Sequence, residues 1–243
     1  MEVYMYTVNG SHKEQNEDRI LAGQQIYQDV TADMDFAGGF LAVADGVGGN
    51  YGGAAAAQFL CERIAGLPRP ELESLCAVNE ALLSYGREIP HGEKMAATLS
   101  GLFFGEGLPV LIHAGNTRVY AIQAGKYLRQ LTRDDTVVQY LLDTGKLTEE
   151  EAESYAARNE ITSCFGGGRP GLLRLTIRRL PDDAEQYLLT TDGVHEYAST
   201  DEMEDILVAA QGDWLAAVKQ MVGLAKDHHS PDDCTAVILD VAV

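Results

Sequence analysis

The sequence predicts an α+β fold in which two antiparallel β-sheets form a central sandwich flanked by helix pairs, giving α-β-β-α layers. Three observations lead there. Short apolar runs bounded by Gly, Asp or Asn come in blocks, helical patterns come in pairs, and several runs are joined by turns too short for a parallel crossover.

Phe40 to Ala44 reads as a buried strand. Two helices follow. From about Gly53 to Ile64 alanines accompany Phe59, Leu60 and Ile64 at helical spacing, and from about Pro70 to Tyr85 the residues Leu72, Leu75, Val78, Ala81, Leu82 and Tyr85 share one side. Strands are expected at Thr98 to Phe104, Val110 to Ala114, Arg118 to Gln123 and Tyr127 to Leu131, and the short turns at Gly115-Asn116 and Ala124-Gly125 make the last three a meander. A second helical pair spans about Thr136 to Thr144 and Thr148 to Arg158, where Thr148 and Glu151 make a capping box. Strands at Leu172 to Arg178 and Tyr187 to Thr191, helices near Glu202 to Ala210 and Trp214 to Asp227, and a strand from Thr235 to Val241 complete the pattern.

The 243 residues are 46% hydrophobic, enough for one full core, and no linker, Pro-rich stretch or repeat divides them, so residues 1–243 read as a single domain. A formal charge of −19 with only 18 Lys and Arg disfavours nucleic-acid or anionic-membrane partners. No apolar run has membrane-span length and the start lacks a basic-then-apolar leader, so the expected location is the cytoplasm. Cys61, Cys76, Cys164 and Cys234 form no CxxC pair and suggest neither a zinc site nor a disulfide framework. No GxxxxGK[ST] motif is present, and Gly166-Gly167-Gly168 follows a helical segment rather than opening one.

The chemistry is suggested by where the acids fall. Phe-Leu-Ala-Val-Ala ends in Asp45-Gly46, Gln-Tyr-Leu-Leu-Thr-Thr ends in Asp192-Gly193, and Asp232-Asp233 stands just ahead of Thr-Ala-Val-Ile-Leu. A carboxylate at the mouth of a buried strand is held by rigid backbone, and several converging there repel one another unless cations neutralise them. One Asp-Gly alone is most often a turn. Oxygen ligands without His or Cys favour Mg²⁺ or Mn²⁺ over zinc, and a glycine after the aspartate lets the backbone turn so that its carbonyl can join the coordination sphere. Two such ions close together could lower the pKa of a shared water and bind phosphoryl oxygens.

Seven blocks, in order, carry a resemblance: Asn16-Glu17-Asp18-Arg19; Leu41 to Gly49 with Asp45-Gly46; Ala97-Thr98-Leu99; Ala114 to Tyr120 with Gly115-Asn116; Leu131-Thr132 to Asp135; Arg158-Asn159 to Thr162 with Phe165-Gly166; and Leu188 to Val194 with Asp232-Asp233-Cys234-Thr235. From about Val8 to Val241 the chain resembles the metal-dependent protein phosphatases of type 2C, especially the compact bacterial ones. The resemblance implies hydrolysis of phosphoserine and phosphothreonine in proteins with two Mn²⁺ or Mg²⁺ ions, opposing Ser/Thr kinases. By it Asp45, Asp192 and Asp18 carry the catalysis. Asp45 bridges the metals, the Gly46 carbonyl binds one of them, Asp192 and Asp232 complete the other, and Glu17 and Asp18 act on bound waters. The segment of about 132–160 corresponds to a helical flap where substrate choice is expected, and the protein is expected to be a monomer.

Three positions depart from the family pattern. Lys13 stands where an arginine usually holds the substrate phosphate, so it would bind phosphate as a point charge without a guanidinium fork. Asn116 replaces an aspartate that helps hold a third cation, which implies a weak or absent third site. Asp135 replaces a histidine at the flap base, and His12 has no evident role. Lys13 and Asn116 are the features that favour the rival reading, a catalytically silent phosphoprotein-binding module; a phosphatase for one specialised regulator would use identical chemistry.

Overall fold

The structure, a computed structural model, describes all residues except 12, 48–51, 154, 158–159, 182–183 and 243, and the side chains of 153 and 170. In chain order the strands and helices are β1 (Glu2–Val8), β2 (Arg19–Ala22), β3 (Gln25–Tyr27), β4 (Thr31–Asp35), β5 (Gly39–Ala44), β6 (Gly46–Val47), α1 (Gly53–Ala65), α2 (Leu72–Glu88), β7 (Ala96–Ala97), β8 (Leu99–Phe104), β9 (Val110–Ala114), β10 (Arg118–Gln123), β11 (Tyr127–Gln130), α3 (Val137–Asp143), α4 (Glu149–Glu153), β12 (Phe165–Gly166), β13 (Thr176–Arg179), β14 (Gln186–Thr190), α5 (Asp192–His195), α6 (Thr200–Ala210), α7 (Trp214–Asp227) and β15 (Cys234–Asp240).

Two six-stranded sheets form the sandwich, with strand orders β11-β10-β14-β15-β1-β4 and β13-β9-β8-β5-β2-β3, and every pairing in them is antiparallel. Three apolar layers hold the stack. Val3, Met5, Leu41, Val43, Leu111, Tyr187, Leu189 and Val237 fill the space between the sheets. Leu60, Ile64, Leu75 and Leu82 of α1 and α2 pack with Leu21, Ala42 and Leu99 on the outer face of the second sheet, while Met203, Leu207, Val218 and Met221 of α6 and α7 pack with Tyr120, Leu188 and Ile238 on the first. The expected α-β-β-α layers are therefore present.

Four strands near the start, β1 to β4, were not expected. In β1 Val3 and Met5 face the other sheet while Tyr4 and Tyr6 pack under α7, so both faces are covered and the polar-apolar alternation that marks a half-exposed strand is blurred. The run Leu172 to Arg178 is not all strand. Pro170–Leu172 forms a 3₁₀ turn, and pairing with β9 begins only at Thr176. The helix expected to reach Arg158 is described only over Glu149–Glu153, and Arg158-Asn159 lies outside the described residues. The capping box is formed: Thr148 N–H donates to Glu151 Oε2 at 2.8 Å, and Glu151 N–H to Thr148 Oγ1 at 3.3 Å. No residue of α3 is buried, so this segment lies outside the packed layers.

A buried amide ties helix to sheet on the α1/α2 side. Asn79 of α2 accepts the Gly166 N–H at 2.8 Å. Asn79→Ala leaves that N–H without its partner, and urea unfolding should show a loss of about 1–3 kcal/mol.

Candidate functional site

Antiparallel register gathers the acids. The end of β5 pairs with the start of β2 through Ala44 and Arg19, the end of β14 pairs with the start of β15 through Thr190 and Ala236, and the end of β1 pairs with the same start through Val8 and Cys234. Asp45, Asp18, Asp192 and Asp232 flank these ends and face one another across one end of the sandwich. The Asp45 carbonyl accepts the Thr98 N–H at 2.9 Å, which locks this corner to the start of β8.

Asp18 is 1% exposed and its Oδ2 accepts hydroxyl hydrogen bonds from Thr191 at 2.8 Å and Thr235 at 2.6 Å. The turn beneath it is built by its own block. Asn16 Oδ1 accepts the Asp18 N–H at 2.9 Å, and Arg19 Nη1 donates to the Asn16 and Asp18 carbonyls at 2.9 and 2.7 Å. Gly46 does not serve as a tight turn. It is extended and pairs with Ala97, and what requires a small residue here is the close approach of α1: a Cβ on Gly53 would stand 2.5 Å from Glu17 Oε1 and 2.6 Å from the Gly46 carbonyl oxygen. Those two oxygens therefore share the mouth of α1.

The electrostatics show how unfavourable this gathering is. Burial, then the charges of Asp192, Asp18 and Asp232, hold the Asp45 carboxyl well above the usual range. Burial pushes Asp18 up to about 8 against the two hydroxyl hydrogen bonds. Asp192 is half-buried as a residue, yet its carboxyl is withdrawn from water; that burial, with Asp232 and Glu196, pushes it up to about 7.

One ammonium enters the cluster. Lys13 Nζ lies 2.5 Å from Asp232 Oδ1, 3.1 Å from Glu17 Oε2 and 3.2 Å from Asp233 Oδ2. Burial alone would lower its pKa, but the hydrogen bond to Asp232 and the charges of Asp232, Asp233 and Asp45 raise it above the ordinary lysine value. The two adjacent aspartates differ in environment. Asp232 is half-buried at the cluster, whereas Asp233 is 1% exposed and accepts the backbone N–H groups of Gly10 and Glu17, each at 2.7 Å. Asn116, 2% exposed, donates from Nδ2 to Asp192 Oδ2 at 2.8 Å while its Oδ1 has no hydrogen-bond partner.

The protein phosphatase 2C family profile matches residues 18–232. A serine/threonine protein phosphatase of Mycobacterium tuberculosis, PstP, is 32% identical over 238 residues, 93% of this chain and 42% of that protein. The chain belongs to the protein phosphatase 2C family. It spans about two fifths of the length of that curated relative. The Mycobacterium tuberculosis PstP/Ppp crystal structure superposes with a TM-score of 0.78 at 28% identity, covering 98% of this chain and 97% of that one. A PstP catalytic domain in complex with two manganese ions gives 0.73 at 28% identity, covering 98% and 96%.

Within this family member, all the expected site residues stand at the same end of the sandwich: Lys13, Glu17, Asp18, Asp45, Gly46, Asn116, Asp192 and Asp232. Among the described residues the acids do not form a closed three-ligand set around one point. A hard cation such as Mg²⁺ keeps several waters and takes one or two carboxylates. The donor set fits such ions further, since the carboxylates outnumber the Lys13 ammonium and the unpartnered Asn116 Oδ1 adds a neutral oxygen. Asp135 turns toward the Asn116 loop: its Oδ2 accepts the Gly115 N–H at 3.0 Å and lies 3.8 Å from His113 Nε2. His12 and Gly49 lie outside the described residues.

Sequence reasoning missed the work of Asp233 and of the Thr191 and Thr235 hydroxyls. A signal was available, because a threonine stands immediately before Asp192 and another two residues after Asp233. Among the described residues no helix is long and apolar enough to cross a membrane.

Proposed function

We propose that this chain hydrolyses phosphoserine and phosphothreonine in proteins with divalent cations, Mn²⁺ or Mg²⁺. The observation that carries this reading is the convergence of Asp18, Asp45 and Asp192, three carboxyl groups withdrawn from water whose proton affinities are each raised by burial and neighbouring carboxylate charge. Asp45, the Gly46 carbonyl, Asp192 and Asp232 would hold the ions, with Glu17 and Asp18 contacting their waters; bound there, the ions supply Lewis-acid charge and an acidified water. Asp45, Asp192 and Asp18 are the catalytic set. Thr191 and Thr235 fix Asp18 through Oδ2, leaving Oδ1 to take a proton. Lys13 holds a phosphate oxygen by charge. Asn116 offers only an amide oxygen, so a third cation binds weakly there.

We take residues 1–243 as one catalytic unit whose segment 132–160, with Tyr140 of α3 58% exposed, meets the substrate protein. The partners are phosphoproteins and an opposing Ser/Thr kinase, and the protein works as a monomer. The unpaired cysteines accord with the reducing cytoplasm.

The test is hydrolysis of a phosphothreonine peptide. Turnover with Mn²⁺ that stops in EDTA and returns with added metal supports the reading; no turnover by the folded protein under any divalent cation favours the silent module instead. Lys13→Ala should raise KM by about tenfold with a smaller change in kcat, as expected for loss of a ground-state phosphate contact.

A further inference from the structure

We propose that Asp233 is a positioning residue for phosphate capture: its carboxylate clasps both ends of the 10–17 loop and so sets where the Lys13 ammonium stands. This rests on Lys13 being the phosphate contact. The geometry is specific to the carboxylate. Oδ1 accepts the Gly10 N–H and Oδ2 accepts the Glu17 N–H, each at 2.7 Å, so one side chain closes the loop at its two ends. Oδ2 also lies 3.2 Å from Lys13 Nζ. A second contact fixes the loop independently. A Cβ on Gly10 would stand 2.5 Å from the Pro231 carbonyl oxygen and 2.8 Å from the Asp232 carbonyl carbon, so the loop seats on the backbone just before Asp233 only because residue 10 is glycine. Within the loop, Asn9 Nδ2 donates to the Lys13 carbonyl at 2.9 Å.

A carboxylate accepts at both oxygens, whereas an asparagine keeps one acceptor and turns an NH₂ toward the other backbone N–H. Asp233→Asn therefore releases one end of the loop while preserving volume. Gly10→Ala pushes the residue-10 end off the Pro231–Asp232 backbone while keeping the carboxylate of Asp233 itself.

The experiment measures KM and kcat on a phosphothreonine peptide, inhibition by inorganic phosphate, and Mn²⁺ affinity by calorimetry. The variants are Asp233→Asn, Gly10→Ala, Lys13→Ala and the double Lys13→Ala/Asp233→Asn. Both loop variants should raise KM and weaken phosphate inhibition by up to about tenfold, the loss expected for Lys13→Ala itself, because that contact is what they forfeit. Mn²⁺ affinity should stay within about twofold, and the double variant should match Lys13→Ala alone, because residues acting through one another are not additive. Additive effects, or a large loss of Mn²⁺ affinity at unchanged KM, overturn the inference, since Asp233 would then act on the fold or on its neighbour Asp232. Unchanged KM in both loop variants beside a raised KM in Lys13→Ala overturns it alone. Unchanged KM in Lys13→Ala overturns the phosphate role of Lys13 and this inference with it.

Discussion

Asp45→Asn lowers kcat on a phosphothreonine peptide by about 1,000-fold or more and leaves a folded protein. Asp45 is the carboxylate on which Asp192, Asp18 and Asp232 converge. If Asp45 holds cations as proposed, removing its charge weakens that hold; their Lewis-acid contribution is several kcal/mol, and each ~1.4 kcal/mol is a factor of ten in rate. The same substitution removes a buried like charge, so in EDTA at pH 8 the variant should unfold at a higher temperature than the parent. That opposite sign separates lost chemistry from lost structure. A variant that is both inactive and less stable in EDTA would sink the assignment of Asp45 as a charge held for cations.

The metal-free protein should lose stability between pH 6.5 and 8.5, and Mn²⁺ should restore it. An unfolded aspartate titrates near 3.9. In the fold Asp18 is pushed up to about 8 and Asp192 to about 7, so the stability they contribute is complete below about pH 4 and is lost as pH rises through 7 to 8. Buried His113 and His195 have lowered pKa values and act in the other direction, removing stability as pH falls through about 6.5. The chosen window therefore isolates the carboxylates. A drop of roughly 5 °C is expected in EDTA, from about 2 kcal/mol at this chain length. Saturating Mn²⁺ binds the folded state and reverses the slope. A flat EDTA profile would show that these carboxylates are neither buried nor mutually charged.

The helices α1, α2, α6 and α7 and most central strands were legible because their apolar residues recur at clear periods against polar flanks. β1 and β2 were not. Residues of β2 are buried throughout, and β1, although its burial alternates, carries Tyr4 and Tyr6 on the half-buried face under α7, so neither sequence alternates polar with apolar residues. Among the acids, strand-end placement singled out Asp45, Asp192 and the Asp232-Asp233 pair, and the family resemblance added Glu17, Asp18 and Lys13.

Composition and periodicity by themselves determined the layered α+β class, because it follows from local patterns, and the placement of carboxylates at strand ends singled out Asp45, Asp192 and Asp232 as candidate cation ligands. Only the tertiary structure decided which strand ends meet, since antiparallel register brings Asp18 from one strand's start beside Asp45 at another's end. It also divided Asp232 from its neighbour. Adjacent residues leaving a strand end point in different directions, and the packing of the 10–17 loop buries Asp233 against two backbone N–H groups while Asp232 stays at the cluster.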